Sequence, residues 1–127
     1  MATSPNFVNT PKVGMVQVTT ANTNRNGTGT IVTVFTAGTL GSRVDWIEIT
    51  AVGTTTNNVI RLFISDGTTT WLMDEILITA NTPSVTNRVS RQTVVYSNPL
   101  VLQPNWSLRA STNNTETYNI IAFGGDF

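Results

Sequence analysis

The fold of this chain is decided by residues 57–79, NNVIRLFISDGTTTWLMDEILIT, where two apolar runs flank a tight-turn signal. In the first run, residues 57–65, every second position is a large aliphatic residue: Ile60, Leu62 and Ile64. This period of two is the spacing of side chains on one face of a β-strand. Asp66-Gly67 is typical of a hairpin turn, because Gly readily adopts positive φ. The return run, residues 69–79, places Leu72, Ile76 and Ile78 on one parity and Trp71, Met73 and Leu77 on the other. The stretch therefore predicts an antiparallel β-hairpin.

On both sides of this hairpin, short runs rich in Val, Ile and Thr recur about every ten residues, with Gly, Asn and Pro between them. The predicted strands before the hairpin are residues 13–20, 30–36 and 43–52, and those after it are residues 92–97, 100–102, 106–111 and 118–123. Residues 80–91, which contain Pro83, are predicted to form a crossing loop. Eight or nine short strands without a helical pattern predict an all-β fold, a jelly-roll-like antiparallel β-sandwich. An immunoglobulin-like sandwich stays open as the alternative, because strand count does not determine connectivity.

The length of the chain, 127 residues and 13.7 kDa, suits a single domain with one hydrophobic core. Residues 1–12 are polar and carry Pro5 and Pro11, which predicts an extended amino-terminal arm. Residues 13–127 are predicted to form the β-sandwich domain. The candidates in the arm for contact with a partner are Phe7, Val8 and Lys12.

The composition argues against an enzyme. The chain has no His and no Cys, and its one Lys is Lys12, so we predict no catalytic residue, no metal site and no cofactor. Seven basic side chains balance seven acidic ones, and a net charge of zero argues against nucleic acid and membrane as partners. The 24 Thr and 14 Asn residues give the sheets a polar but uncharged covering, which favours association of copies. The opening residues lack the features of a secretion signal, so we expect a soluble protein that is not exported by a cleaved signal.

Two pairs of carboxylates lie close together in the sequence. Asp45 and Glu48 are three positions apart on a predicted strand, and Asp74 and Glu75 are adjacent, so alternation sends the members of each pair to opposite faces. A cross-strand pair such as Asp45 with Glu75 would still meet the spacing that a glycosidase requires. The alternative is that these carboxylates are solvated or form ion pairs with arginines, of which the available ones are Arg43, Arg61 and Arg109.

The aromatic residues suggest either a core, a subunit interface or a sugar-stacking platform. Trp46 shares its strand parity with Val44, and Trp106 with Leu108, which favours the core or an interface for both tryptophans. The candidates for an interface or for glycan stacking are Trp71, which we expect to be the most exposed of the three tryptophans, and Tyr96.

Three segments carry a resemblance to a known group of proteins: GTGTIVTVFTAG through GSRVDWIEITAVGTTT at residues 27–56, VIRLFISDG at residues 59–67, and NWSLRASTNNTETYNIIAFGGDF at residues 105–127. These segments resemble small all-β virion-associated proteins of tailed bacteriophages. The resemblance covers the chain from about Gly27 to Phe127, and its motifs are compositional rather than catalytic.

The resemblance implies a structural role as a capsid decoration or cement protein. Its implied partners are the major capsid protein and further copies of the chain, with a trimer as the first expectation, and its implied location is the surface of a capsid assembled in the host cytoplasm. The amino-terminal arm would then be a tether to the shell. The alternative function is a glycan-binding β-sandwich module of a tail fibre or an adhesin.

Overall fold

Nine β-strands make up the regular structure of the protein in a computed structural model that describes residues 8–127. The first four strands are β1 (Thr10–Val18), β2 (Val32–Thr36), β3 (Ser42–Ala51) and β4 (Asn58–Ser65). The remaining five are β5 (Thr70–Ile78), β6 (Arg91–Val94), β7 (Leu100–Leu102), β8 (Ser107–Thr112) and β9 (Tyr118–Asp126). No helix occurs within this part of the chain. The all-β prediction is confirmed, and each of the nine predicted strands is present with ends shifted by at most three residues.

The strands form two antiparallel sheets that pack face to face. Sheet A has the order β1-β9-β3-β6, with β7 also paired to β3, and sheet B has the order β2-β8-β4-β5. The chain folds as one long antiparallel hairpin that wraps into both sheets. Its successive strand pairs are β1 with β9, β2 with β8, β3 with β6 and β7, and β4 with β5. This wrapped hairpin is the topology of a jelly roll. The first-choice fold is therefore confirmed, and the immunoglobulin-like alternative is wrong.

The hydrophobic core lies between the two sheets and follows from the alternation of side chains along the strands. Sheet A contributes fully buried residues from β3 and β9, and sheet B contributes them from β4 and β8. The central members are Ile47, Ile49, Ile60, Leu62, Leu108, Ile120 and Ala122. Burial of a large aliphatic side chain stabilises the fold by about 1.5–3 kcal/mol, so these positions dominate the folding free energy.

The amino-terminal boundary differs from the prediction. Strand β1 begins at Thr10, so the sandwich starts three residues before the predicted boundary at Val13, and Lys12 lies inside the strand. Pairing with β9, from Thr10 opposite Asp126 to Val18 opposite Tyr118, holds this end of the chain in sheet A. The sequence did not predict a strand start at Thr10, because Pro11 usually interrupts a strand. Proline is tolerated on an edge strand such as β1. Residues 1–7 of the predicted arm, including Phe7, lie outside the described residues.

A β-bulge in β3 changes the direction of Trp46. The register between β3 and β9 shifts between Val44 and Trp46, so the two residues do not share a face as strict alternation predicts. Val44 is buried between the sheets, while Trp46 points outward and is 39% exposed. Of the two positions predicted for Trp46, the core is wrong, and a subunit interface stays a prediction. Trp106 packs against the core as predicted.

A second irregularity lies in β5. The register between β4 and β5 shifts so that Leu62 faces Asp74 and Phe63 faces Leu72, which leaves Met73 as the extra residue. Leu72 is therefore separated from the predicted face of Ile76 and Ile78 and is exposed, whereas the latter two face the core. The hairpin prediction is confirmed. Because of the bulge, however, the residues that share a parity in β5 do not all lie on one face of the sheet.

Candidate functional site

The loop that joins β1 to β2, residues 19–31, covers part of the outer side of sheet B. Gly27 of this loop approaches β5 so closely that a Cβ on it would lie 2.2 Å from the carbonyl oxygen of Thr70. Arg25 donates from Nε to Oε2 of Glu75 at 2.8 Å. The side chain of Asn22 stabilises the loop, because its Nδ2 donates to the carbonyl oxygens of Thr28 and Thr30 at 3.0 Å each. The loop therefore forms an ordered cover over β4 and β5.

Arg61 lies beneath this cover and is almost fully buried, with 3% of its side chain exposed. Its Nε donates to Oε2 of Glu75 at 2.8 Å, and its Nη1 donates to the carbonyl oxygen of Asn22 at 3.1 Å and to Oδ1 of Asn113 at 3.1 Å. The hydrogen bond from Arg25, with a second from Arg61, lowers the pKa of Glu75 below its usual range. Phe63, two residues further along β4, is fully buried yet lies outside the core between the sheets. These contacts bury the centre of the outer side of sheet B, whereas Leu72 and Leu77 on the same side stay exposed.

The outer side of sheet A carries a contiguous group of apolar side chains that are exposed or partly buried. We call the five residues Val13, Met15, Trp46, Ile121 and Phe123 the sheet A face. Met15 is 68% exposed, Val13 is half-exposed, and Ile121 and Phe123 are partly buried. The strand register aligns them in two rows, with Val13, Phe123 and Trp46 in one and Met15 and Ile121 in the next. A shallow hollow of about 320 Å³ lies beside Met15 and Ile121.

The two aromatic rings of the sheet A face are stacked. The ring centroids of Trp46 and Phe123 are 4.7 Å apart and the ring planes differ by 17°. Stacking in this range holds both rings flat against the sheet. The two stacked rings therefore form one continuous aromatic surface within the sheet A face.

The charged side chains next to the sheet A face are paired with one another. Oε2 of Glu48 accepts from Nε of Arg91 at 3.1 Å and from the hydroxyl of Thr93 at 2.8 Å. Partial burial raises the pKa of Glu48, but the hydrogen bonds from Arg91 and Thr93 outweigh it, so its pKa is lowered. Nε of Arg43 lies 2.9 Å from Oδ1 of Asp45 as an ion pair. The apolar rows are thus bordered by neutralised charge.

Two of the three predicted arm residues can be placed, and both contact the sandwich. Nζ of Lys12 donates to the carbonyl oxygen of Thr36 at 2.5 Å, lies 3.3 Å from Oδ1 of Asp126, and sits 5.0 Å from the centre of the Phe35 ring. Val8 lies over Gly125, where a Cβ would come within 1.8 Å of its Cγ1. These residues anchor β1 to the end of β9.

Trp71 and Tyr96 differ in how far their side chains are buried. Trp71, at the start of β5, is 51% exposed, the largest exposed fraction of the three tryptophans as predicted. Tyr96 packs against the core, and its hydroxyl donates to Oδ2 of Asp74 at 2.8 Å. Burial, followed by the hydrogen bond to Asp74, raises the pKa of Tyr96 above its usual range. Of these two residues, Trp71 is therefore the more exposed and the better candidate for contact with a ligand.

The carboxylates considered for glycosidase chemistry lie in different sheets and have arginine partners. Asp45 is in β3 of sheet A beside Arg43, whereas Glu75 is in β5 of sheet B between Arg25 and Arg61. The expected ion-pair interpretation is confirmed for both residues. Arg109 instead donates from Nε to the hydroxyl of Ser107 at 3.0 Å.

A polar groove of about 520 Å³ lies between the end of β5 and β6. Its lining includes Asn81, Asn87, Arg88, Ser90 and Thr93. The amides of Asn81 and Asn87 are occupied, because Asn87 Nδ2 donates to Asn81 Oδ1 at 2.9 Å and Asn81 Nδ2 donates to the carbonyl oxygen of Arg88 at 2.9 Å. Residues 8–127 contain no cluster of acidic side chains that would hold a metal ion, and no helix long and apolar enough to cross a membrane.

Comparison with known proteins adds no relative. No protein-family model matches the chain, and no curated protein matches it at a significant level. Functional inference therefore rests on the surface of the molecule itself.

The sheet A face was missed in the sequence, although a signal for it was present. In residues 13–18, VGMVQV, apolar residues occupy both parities, and the same holds for IIAF at residues 120–123. An antiparallel strand with one solvated face reads as apolar alternating with polar. Apolar residues on both parities of a strand therefore indicate that the outer face of its sheet also carries apolar side chains.

Proposed function

We propose that this protein is a structural component of a bacteriophage virion, a jelly-roll module that decorates the capsid surface. It acts by contact with the major capsid protein and with copies of itself, and its role requires no reaction. The resemblance of residues 27–127 to small virion-associated proteins motivates the proposal. The jelly roll is consistent with it, but this fold also serves lectins, so the fold alone carries little weight.

The observation that carries the proposal is the sheet A face. Exposed apolar patches of this kind on a small domain are typical of protein interaction sites. Met15 and Trp46 lie in adjoining apolar rows of sheet A and keep 68% and 39% of their surface exposed. The ion pairs of Glu48 and Asp45 leave no unpaired carboxylate beside the patch for chemistry. A contact function fits this surface better than a catalytic one.

Co-sedimentation with empty capsids of the cognate phage tests the proposal. The full chain is expected to pellet with the capsids and to saturate at a copy number set by capsid symmetry. Deletion of residues 1–7 tests the tether, because this shorter deletion leaves β1 and its Lys12 contacts in place. Full-length protein that stays in the supernatant at saturating capsid concentration would contradict the proposal, and unchanged binding of the deletion variant would remove the arm from it.

The second candidate is a glycan-binding module, favoured by the half-exposed ring of Trp71. Stacking of a sugar on an exposed indole is a common mode of carbohydrate recognition. A glycan array followed by titration of Trp71→Ala tests it, with Trp46→Ala on the other sheet as the matched control. Loss of glycan affinity in the Trp71 variant alone would support this second function, whereas an array without hits would reject it.

A further inference from the structure

The loop of residues 19–31 contains the one Asn-Gly pair of the chain, Asn26-Gly27. An asparagine before a glycine is chemically labile, because glycine has no side chain to hinder attack of its backbone nitrogen on the asparagine side chain. Every other asparagine in the sequence is followed by a residue that carries a side chain. The sequence therefore offers one favourable position for this reaction.

Two donors hold the side-chain amide of Asn26 in one orientation. Its Oδ1 accepts a hydrogen bond from the hydroxyl of Thr28 at 2.6 Å and another from the Thr28 backbone N–H at 3.3 Å. Nδ2 of Asn24 donates to the same hydroxyl oxygen at 3.1 Å, so the hydroxyl proton is directed at Asn26. These donors draw electrons from Cγ of Asn26, and they stabilise the negative charge that develops on Oδ1 when a nucleophile adds to Cγ.

The two nitrogens that would react are free of other contacts. Neither the backbone N–H of Gly27 nor Nδ2 of Asn26 donates a hydrogen bond to an acceptor within residues 8–127. Asn26 is exposed, and Gly27 is only partly buried, so solvent reaches both groups. The Gly27 nitrogen can therefore lose its proton to solvent, and Nδ2 can leave as ammonia.

We propose that Asn26 is a modification site, at which the folded protein converts this asparagine to aspartate and isoaspartate without an enzyme. The Gly27 nitrogen loses its proton and forms a bond to Cγ of Asn26, the bond from Cγ to Nδ2 breaks, and ammonia leaves with a proton from solvent. Water then opens the cyclic imide, either at Cγ to give aspartate or at the backbone carbonyl carbon to give isoaspartate. In sum, one amide and one water become one carboxylate and one ammonium ion. This modification is independent of the proposed function.

Asp66-Gly67 is the one Asp-Gly pair of the chain, and its hydrogen bonds disfavour the same imide. Oδ1 of Asp66 accepts from the backbone N–H groups of Thr69 at 2.8 Å and Thr68 at 2.9 Å, and these bonds lower the pKa of Asp66. An ionised carboxylate is a poor electrophile, because its carbon already shares the negative charge of two oxygens. Donors near Asn26 thus activate a neutral amide, whereas those near Asp66 keep a carboxylate ionised.

The modified residue lies where the loop touches sheet B. Gly27 fits so closely against β5 that an added Cβ would lie 2.2 Å from the Thr70 carbonyl oxygen. On the other side of Asn26, Nε of Arg25 donates to Oε2 of Glu75 at 2.8 Å. Isoaspartate adds one carbon to the main chain between these two contacts, so both cannot be kept in their present positions. We therefore expect isoaspartate to loosen the loop from β5, whereas aspartate keeps the main chain at its normal length.

Incubation of the folded full chain at mildly alkaline pH, followed by isoelectric focusing and peptide mass mapping, tests the site. Each conversion adds one negative charge to a neutral chain, so the product separates from the parent. Thr28→Val removes the hydroxyl donor and is expected to slow the conversion roughly fivefold, the effect of one lost hydrogen bond. Thr28→Ser keeps a donor and is expected to react like the wild type.

Thr30→Val is the matched control, since the Thr30 hydroxyl makes no hydrogen bond within residues 8–127, and it is expected to react like the wild type. The same chains unfolded in urea give the effect of the sequence alone, and there Thr28→Val is expected to lose its difference from the wild type. An Asn26 amide that persists in the folded chain but is lost in urea would overturn the inference. Equal rates for folded Thr28→Val and wild type, or equal conversion at Asp66, would do the same.

Urea unfolding of the separated isoaspartate product tests the effect on the loop. Its unfolding midpoint is expected to lie below that of freshly purified Asn26→Asp, which carries the same charge on a main chain of normal length. The midpoint of Asn26→Asp itself is expected to stay close to that of the wild type, because a carboxylate also accepts the two Thr28 hydrogen bonds. Equal midpoints for the isoaspartate product and Asn26→Asp would show that the loop stays in place after modification.

Discussion

The indole ring of Trp46 stacks on the phenyl ring of Phe123 on the outer side of sheet A, with 4.7 Å between the ring centroids. The stack exists because the bulge in β3 turns Trp46 outward, opposite Phe123 of β9. In a regular strand without the bulge at Asp45, alternation would direct Trp46 toward the core on the same face as Val44. The bulge therefore places Trp46 on the outer surface.

The stack is expected to contribute to stability beyond the area it buries. In a double-mutant cycle of Trp46→Leu and Phe123→Leu, we expect a coupling free energy of about 0.5–1.5 kcal/mol. Urea unfolding of the four proteins, followed by circular dichroism at low protein concentration, measures it. The control cycle of Trp71→Leu with Phe123→Leu should be additive, since these residues lie in different sheets. Equal coupling in both cycles would show that the contact between the rings has no special role.

Gly27 is expected to be essential for the loop that covers sheet B. It has a φ of +85° and a Cβ on it would lie 2.2 Å from the Thr70 carbonyl oxygen, so Gly27→Ala meets both backbone strain and a clash. We expect it to lower the free energy of unfolding by about 1–3 kcal/mol. Gly67, with a φ of +95° and open space around it, is the control for strain alone. Thermal and urea unfolding should therefore rank Gly27→Ala below Gly67→Ala, and the reverse order would contradict the close approach of the loop.

Stability is expected to depend on pH through Glu75. Its pKa in the folded protein is lowered from 4.5 by the hydrogen bond from Arg25 and then that from Arg61, so the stabilisation is fully present above pH 4.5. It is lost as the pH falls through the lowered folded-state pKa, because the unfolded chain takes up the proton first. The unfolding free energies of wild type and Glu75→Gln should therefore differ most near neutral pH and converge in acid. A difference that stays constant from neutral to acidic pH would contradict the ion-pair network.

Lys12 is expected to act within the sandwich rather than as a capsid contact. Its Nζ lies 3.3 Å from Oδ1 of Asp126, and a hydrogen bond from Ser42, followed by Lys12, lowers the pKa of Asp126. Because the pair is partly exposed, we expect Lys12→Met to lower the free energy of unfolding at neutral pH by about 0.5–1 kcal/mol. Chemical denaturation measures this loss, and capsid co-sedimentation of the folded variant should equal that of the wild type. Unchanged stability combined with lost capsid binding would restore Lys12 as a tether residue.

The strands were predictable from the sequence because their signals are local. In β4, Ile60 and Leu62 alternate with Arg61, and the hairpin turn at Asp66-Gly67 needs only its own residues to form. The composition also excluded imidazole and thiol chemistry, since residue types are read directly. Pairing of Asp45 and Glu75 with arginines was also predicted. Arg25, a partner of Glu75, was not among the expected arginines.

The candidate site was not predictable in the same way. Trp46 was assigned with Val44 because alternation assumes an uninterrupted ladder, and a bulge appears only when the partner strand is known. Lys12 was assigned to an arm because its partner Asp126 is 114 residues away in the chain. That residues 19–31 lie over Arg61 on the outer side of sheet B depends on where a loop without periodicity is placed.

The sequence by itself determined the all-β class, the nine strands, the tight hairpin and a neutral surface without His or Cys. These properties depend on residue type and on spacing within one strand. The tertiary structure alone decided that β1 pairs with β9, that Trp46 and Phe123 stack, and that Met15 and Val13 lie beside them on the outer side of sheet A. The physical reason is that strand partners are selected by contacts between residues distant in the chain, so the outer surface of each sheet emerges only after the hairpin has wrapped.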